Sequence, residues 1–355
     1  MPPVLESPVR KDAGQDEHGD THEHSRRVSP VRWVWLFAGL TGIVLLLFAR
    51  SAAAATGFSL PNRLQDLLTL SISVIIESLP FVILGILLSI VVQIWLPDGA
   101  LERFLPSNPY LRRAGISFFG VFLPVCECGN LPLARGLILK GFSVPEAMTF
   151  LLAAPIVNPI TILTTYQAFG WSNGILAARI VGGFVIANVI GWLFSRHPQP
   201  ENLLTPKFVA ECVASEGRTH THSRWSQSVD SFVREASVIM PALFIGALLA
   251  GGIQVLVPRA VLINLGSNPI WSIVAMMVLA FVIAVCSNVD AFFILPFAST
   301  FLPGSIVTFL VFGPMIDIKM LAMMRTTFTT RVLIYLTVLV GLMSALLGLV
   351  VNYVV

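Results

Sequence analysis

PVCECGNLPLARGLILKG, residues 124–141, places two cysteines, a carboxylate, an arginine, a lysine, two prolines and three glycines inside an otherwise apolar region. Lipid-facing sequence does not look like this. Backbone interrupted by Pro and Gly, with ionisable groups at membrane depth, is tolerated only where protein or a water-filled cavity surrounds it. The stretch therefore marks a substrate or ion pathway.

Composition sets the class. Of 355 residues, 55% are hydrophobic and 12% charged, where a soluble protein carries roughly 25% charged residues. The chain reads as an integral membrane protein whose first partner is the lipid bilayer. Its net charge of +3 is spread over several connections, with no Lys/Arg block interleaved with aromatics, so nucleic acid is not a partner. The four cysteines are Cys126, Cys128, Cys212 and Cys286. They form neither a repeated CxxC nor a CxxC…H pattern, so no standard zinc site is expected. Cys126 and Cys128 are too close in sequence for an ordinary disulfide. No P-loop is present, which removes ATP hydrolysis from this chain, and no cofactor is expected.

Residues 1–32 are polar and read as a disordered cytoplasmic tail. Its cluster of His18, His22 and His24 is more plausibly solvated than metal-bound. Residues 33–50 hold a first transmembrane helix, in which Trp33–Ala49 is a charge-free run, bounded by Arg32 and Arg50, close to the length a span needs. The ARSAAAAT that follows resembles a cleavage site, but the long polar leader favours a retained span. Residues 67–196 and 231–355 hold two sets of interrupted apolar segments, joined by a polar connection at 197–230. That connection has no strong helical or strand period.

The two sets match. At an offset of 161, Pro80, Gly85, Gln93 and Pro97 meet Pro241, Gly246, Gln254 and Pro258; at 160, Cys126 meets Cys286. At 159, Thr149, Pro155 and Asn158 meet Thr308, Pro314 and Asp317. An internal repeat of interrupted helices is a mark of secondary transporters, with the site at the repeat interface near the midplane. The expected fold is an all-α polytopic membrane protein of two inverted repeats with interrupted or re-entrant helices, about 8–10 membrane elements in all. Placing most Lys and Arg inside puts the N-terminus, Arg112/Arg113, 196–234 and Arg325/Arg331 in the cytoplasm and the Gly170–Gly174 turn outside. The alternative to re-entry at CECGN and CSNVD is a spanning broken helix, because Trp271–Val289 is charge-free and long enough to cross.

Several positions carry chemistry. Cys126, Cys128 and Cys286 lie at the turning points, and thiolates select soft cations and thiophilic centres such as trivalent arsenic. A lone Cys286 would read as a small apolar residue. Half-helix starts at Gly129-Asn130 and Ser287-Asn288 offer backbone N–H groups to an anion. Asn158 and Asp317 are pathway candidates; Glu127 and Asp290 are candidates to carry a coupling proton. Asp317 and Lys319 read equally well as a structural ion pair. Arg135 and Lys140 read as pathway charge or interfacial anchors, and Glu77 as a partner for Arg135 or Arg179.

PVCECGNLPLARGLILKG, FLLAAPIVNPITIL and CSNVDAFFILPFASTFLPGSIVTFLVFGPMIDIK together resemble the predicted bacterial permease family that includes the ArsP-type organoarsenical efflux permeases and YraQ-like proteins. The resemblance covers most of residues 67–354. It implies a multi-pass permease of the bacterial cytoplasmic membrane, exporting a small thiophilic solute such as a trivalent organoarsenical, with Cys126, Cys128 and Cys286 as carried-over positions. Glu127 stands where a small polar residue is expected in the family. A membrane thiol oxidoreductase and a subunit of a two-component permease are the rival readings. Partners beyond the small-molecule substrate are a second copy or a second permease subunit.

Overall fold

The computed structural model describes residues 62–97, 99, 103, 105–122, 125–171, 173–216, 223–256 and 269–354. The expected tail at 1–32 and first span at 33–50 lie outside them. The described residues form an all-helical protein whose only β pairing is an isolated antiparallel bridge between Leu204 and Phe328. In chain order the helices are α1 (Asn62–Ile90, continued by a π turn to Trp95), α2 (Pro109–Ser117), α3 (Phe119–Phe122), α4 (Glu127–Leu139), α5 (Val144–Val157), α6 (Pro159–Phe169) and α7 (Ile175–Ser195). They continue with α8 (Pro206–Glu216), α9 (Arg224–Leu256), α10 (Pro269–Ile283), α11 (Asp290–Ile294), α12 (Pro303–Met315), α13 (Ile318–Met324) and α14 (Thr330–Val354). Among the described residues, six helical stretches are long and apolar enough to cross a membrane: α1 with its π turn, α5–α6, α7, α9, α12–α13 and α14.

The breaks follow from local chemistry. Asn158 precedes Pro159, whose ring disfavours the helical region for the residue before it; Asn158 is extended and its side chain accepts from the Ile160 N–H, capping α6. Asp317 occupies the like place in the second half, extended and accepting from the Met320 N–H to cap α13. Before α4, Cys126 is extended as well. The stretch expected to be long enough to span at Trp271–Val289 is not one helix. α10 stops at Ile283 after 15 residues, short of the roughly 20 a span needs, and Ala284 then takes a left-handed φ of 52°. The left-handed region costs a non-glycine residue about 1–2 kcal/mol, and the Ala284 carbonyl it redirects accepts from Lys319.

Packing places α5 and α12 at the centre, with every residue of α5 buried and every residue of α12 after its first proline buried. The outer helices show one apolar face to the surroundings. On α14, Ile334, Val338, Leu342, Leu346 and Val350 are exposed at four-residue spacing, a stripe that hydrocarbon covers without cost. α1 and α9 run antiparallel. Gly251 lies against Ser71 at one end, and the Trp95 and Trp225 rings meet at 5.4 Å at the other. Thr149 on α5 fills the space left by Gly191 on α7, and Thr308 on α12 does the same against Gly348 on α14.

The connection expected to be irregular at 197–230 contains α8. Its Phe208 is buried, with Val209 and Cys212 packed beside it. The helix is stabilised by docking against the body, a tertiary effect that local periodicity does not carry. Around it, the Thr205 N–H donates to Thr327 O at 2.8 Å and the Thr329 N–H to Leu203 O at 3.0 Å. α8, the Gly141–Ser143 turn and the start of α9 thus share one end of the molecule, the α8 end. The Gly170–Gly174 turn lies at the other, the Gly170 end.

α1 crosses α4 where Gly85 meets Gly129. A Cβ at Gly85 would overlap the Gly129 backbone, whereas one at Gly252 finds only Leu67 Cδ1, at 3.9 Å. Gly85→Ala is expected to cost about 1–3 kcal/mol through forced helix separation, and Gly252→Ala to be neutral or stabilising. Melting of the two detergent-solubilised variants, followed by fluorescence-detected size exclusion, checks the contrast.

Candidate functional site

The sequence stretch that anchors the fold ends its extended portion at Cys126 and starts α4 with Glu127. That carboxylate is fully buried. An acid in the first turn is favoured by the helix dipole, but a buried charge needs partners as well. Glu127 finds them in the other half of the chain. Lys319 Nζ lies 3.2 Å from Oε1; the Ser287 N–H and Oγ donate to Oε2 at 3.2 and 3.0 Å. Lys319, itself buried, also donates to Ala284 O at 3.3 Å and lies 3.9 Å from Asp317 Oδ2. Between the two readings of Asp317 and Lys319, the lysine's nearer partner is Glu127.

Three thiols surround this pair. Cys126, Cys128 and Cys286 are free and buried. Cys128 and Cys286 are both close neighbours of Cys126. Cys128 Sγ donates to Ser78 Oγ at 3.6 Å and Cys286 Sγ to Glu127 Oε2 at 3.8 Å. Cys126 Sγ, a Glu127 oxygen and Cys128 Sγ all lie within 4.8 Å of one another, a spacing at which one soft centre could be held by several of them. Glu77 faces the same group, with Lys319, Glu127 and the Cys286 N–H as electrostatic neighbours. It partners neither Arg135 nor Arg179, contrary to the sequence expectation.

The other candidates lie nearby or elsewhere. Asn158 caps α6 and donates to Val125 O at 3.0 Å, so it fixes the backbone beside Cys126 and makes no bond to the thiols. Asn130 is fully buried, and among the described residues neither its amide nitrogen nor its oxygen has a partner. Asn288 accepts from Thr161 Oγ1 at 3.3 Å. The Ser287 N–H, expected to face an anionic solute, is taken by Glu127. Asp290 pairs with Arg179 through two bonds, of 2.9 and 2.6 Å, and Arg179 also donates to Thr165 at 2.7 Å. Arg135 is buried at the α8 end, bonded to Glu235 at 2.9 Å, Glu211 at 2.9 Å and Thr327 at 3.0 Å, with the Phe208 ring 4.2 Å from its guanidinium. Lys140 donates to Gln93 O and Leu96 O at the end of α1, a cation on terminal carbonyls. Cys212 sits half-buried on α8.

Sequence reasoning missed Glu235, Glu211 and Thr165, and it did not pair Arg179 with Asp290. Glu235 had one readable signal, a carboxylate on a long helix two turns before Pro241.

Removing one member of a buried pair leaves the other uncompensated, at about 3–5 kcal/mol, whereas removing both charges is far milder. Lys319→Met is therefore expected to destabilise strongly and Lys319→Met/Glu127→Gln to recover most of the loss. A double-mutant cycle on thermal inactivation of the purified protein measures that coupling.

Comparison with known proteins agrees with this architecture. The chain matches the ArsP_1 family, described as a predicted permease, over residues 63–353. It is 35% identical over 260 residues to the UPF0718 protein YcgR of Bacillus subtilis, covering 73% of this chain and 88% of that one. It is 32% identical over 278 residues to a putative two-component membrane permease complex subunit of Streptococcus mutans, covering 77% and 90%. A shorter match of 26% over 149 residues, 41% of each chain, is to the UPF0718 protein YraQ of Escherichia coli. No solved structure matches the chain. With a buried thiol and ion-pair centre among six apolar membrane-length helices, the chain belongs to the ArsP_1 family of predicted permeases.

Proposed function

We propose that the protein is a secondary permease of the bacterial cytoplasmic membrane that exports a small thiophilic solute, of which a trivalent organoarsenical is the chemical example. The observation that carries this reading is the convergence of Cys126, Cys128 and Cys286 on the Glu127–Lys319 pair, with ligands drawn from both halves of the chain and closed off from the surface. Such a solute exchanges its oxygen ligands for sulfur and releases water. Of the two candidates for the coupling proton, Glu127 is kept, and Asp317 is taken in place of Asp290, which Arg179 holds through two bonds.

We read the two halves as an inverted repeat, the arrangement expected of a secondary permease. The matched helices α1 and α9 run antiparallel, the Thr149–Gly191 and Thr308–Gly348 contacts occupy like places, and Asn158 and Asp317 cap like half-helices. The short α10 and the break before α4 fit re-entrant elements that meet near the midplane. Arg112, Arg113, Arg196, Arg224, Arg234, Arg325 and Arg331 make the α8 end the cytoplasmic one, with the N-terminus on that side. The Streptococcus mutans relative, named as a two-component permease complex subunit, favours a second reading in which this chain works beside another permease subunit.

Everted vesicles from cells producing the wild type are expected to accumulate methylarsenite while a proton gradient is maintained. Cys126→Ser, Cys128→Ser and Cys286→Ser should each lower uptake about tenfold or more, since losing even an outer-shell partner of a ligand set typically costs about 10–100-fold. Uptake undiminished in all three variants would sink the thiol site. No uptake by wild type, alone or with a candidate second subunit, would remove the arsenical.

A further inference from the structure

Three buried ion pairs join residues of the first half to residues of the second: Arg135–Glu235, Glu127–Lys319 and Arg179–Asp290. They follow one another along the interface. Arg135 lies eight residues beyond Glu127 on α4, or about 12 Å at 1.5 Å per residue, towards the α8 end. Asp290 lies past the opposite break, four residues beyond Cys286, and its partner Arg179 is on the first turns of α7, just after the Gly170–Gly174 turn. The thiol centre is thus bracketed by a cationic clasp on each side.

The centre is closed to both ends. Cys126, Cys128, Glu127, Lys319 and Cys286 expose 3% or less of their surface. A permease has to open one end at a time. A seal of apolar side chains opens at the cost of hydrating hydrocarbon, whereas the Coulomb gain and desolvation penalty of a buried ion pair nearly cancel. Water entering an opened pair solvates both charges. Such pairs are poor glue and good latches.

We infer that Arg179–Asp290 is the gate to the thiol centre from the Gly170 end, and that Arg135 with Glu235 and Glu211 is the gate from the α8 end. The two are built differently. The first is a single two-bond clasp steadied by Thr165. The second draws in α8 through Glu211, which also pairs with Arg234 at 2.7 Å, and closes over the Phe208 ring. α8 in turn follows a strand-like segment tied to the α13–α14 turn by the Leu204–Phe328 bridge. Opening that end therefore moves the inter-half connection together with the end of the second half, and opening the other end requires only the clasp. The inference rests on the permease reading, since a gate implies passage, but its readout does not depend on the solute.

The test uses full-length protein carrying Cys212→Ser, in right-side-out and inside-out vesicles, with a membrane-impermeant maleimide and mass spectrometry of Cys126, Cys128 and Cys286. Neutral double variants avoid stranding a charge: Arg179→Gln/Asp290→Asn and Arg135→Gln/Glu235→Gln. The first is expected to label from the Gly170 side only and the second from the α8 side only. Each should label about tenfold faster than its parent, the change that roughly 1.4 kcal/mol in the open–closed balance produces. The charge exchange Arg179→Asp/Asp290→Arg should restore protection. Labelling of both variants from one side, or lowered yield and melting point with no change in labelling, would overturn the gates. Side-specific labelling in a protein that moves no methylarsenite would keep the gates and remove the solute assignment alone.

Discussion

A carboxylate fully buried in a membrane protein has to be satisfied by protein, and the way Glu127 is satisfied organises this molecule. It opens α4 immediately after a break in the chain, and its two oxygens are held by Lys319 and Ser287 from the other half. Neither half can bury its own share alone. The first would leave a bare carboxylate, and the second would leave a bare ammonium whose remaining acceptors are the Ala284 carbonyl and the more distant Asp317. Because the charges are complementary across the interface, closing the interface and completing the thiol centre are the same event.

The rest of the architecture brings these residues to one place. Gly85 against Gly129 lets α4 lie tight on α1, and Gly246 gives α9 the same close approach to α13 beside Lys319. Asn158 fixes the carbonyl of Val125 next to Cys126, while Lys319 fixes that of Ala284, two residues before Cys286. Each break is therefore braced by the half-helix start that follows it in the same half. The buried α5 and α12 supply the rigid centre against which those half-helices rest. Rigid helices around a discontinuous, polar middle hold that middle in place without exposing its backbone to lipid.

Much of this was legible in the residues, for reasons that are local. Pro159 biases Asn158 out of the helical region, and the Pro-Gly content of PVCECGNLPLARGLILKG marked a break close to Cys126, although Pro132 itself lies inside α4, as Pro80 and Pro241 lie inside α1 and α9. Matching Gly, Pro, Gln and Cys positions at nearly constant offset paired Cys126 with Cys286 before any geometry was known. What could not be read was pairing over long separations. Nothing within reach of Arg179 in sequence announces Asp290, 111 residues away, and Lys319 sits two residues from Asp317 yet lies closer to Glu127. Charge-free length left a spanning broken helix open beside re-entry at Trp271–Val289, because a left-handed Ala284 leaves no compositional trace. α8 was hidden for a related reason. It is ordered by Phe208 docking beneath Arg135 and not by its own periodicity.

The central claim is that thiols from two halves of one chain form one buried centre. The most direct measurement is cross-linking. A protease site placed between Glu216 and Ser223 in a Cys212→Ser protein allows the halves to be cut apart after treatment with a short bifunctional thiol reagent. On a denaturing gel the account predicts that the halves remain joined through Cys286 and either Cys126 or Cys128, and that Cys286→Ser releases them. Separation of the halves in the Cys286-containing protein, with all three thiols capped singly, would contradict it.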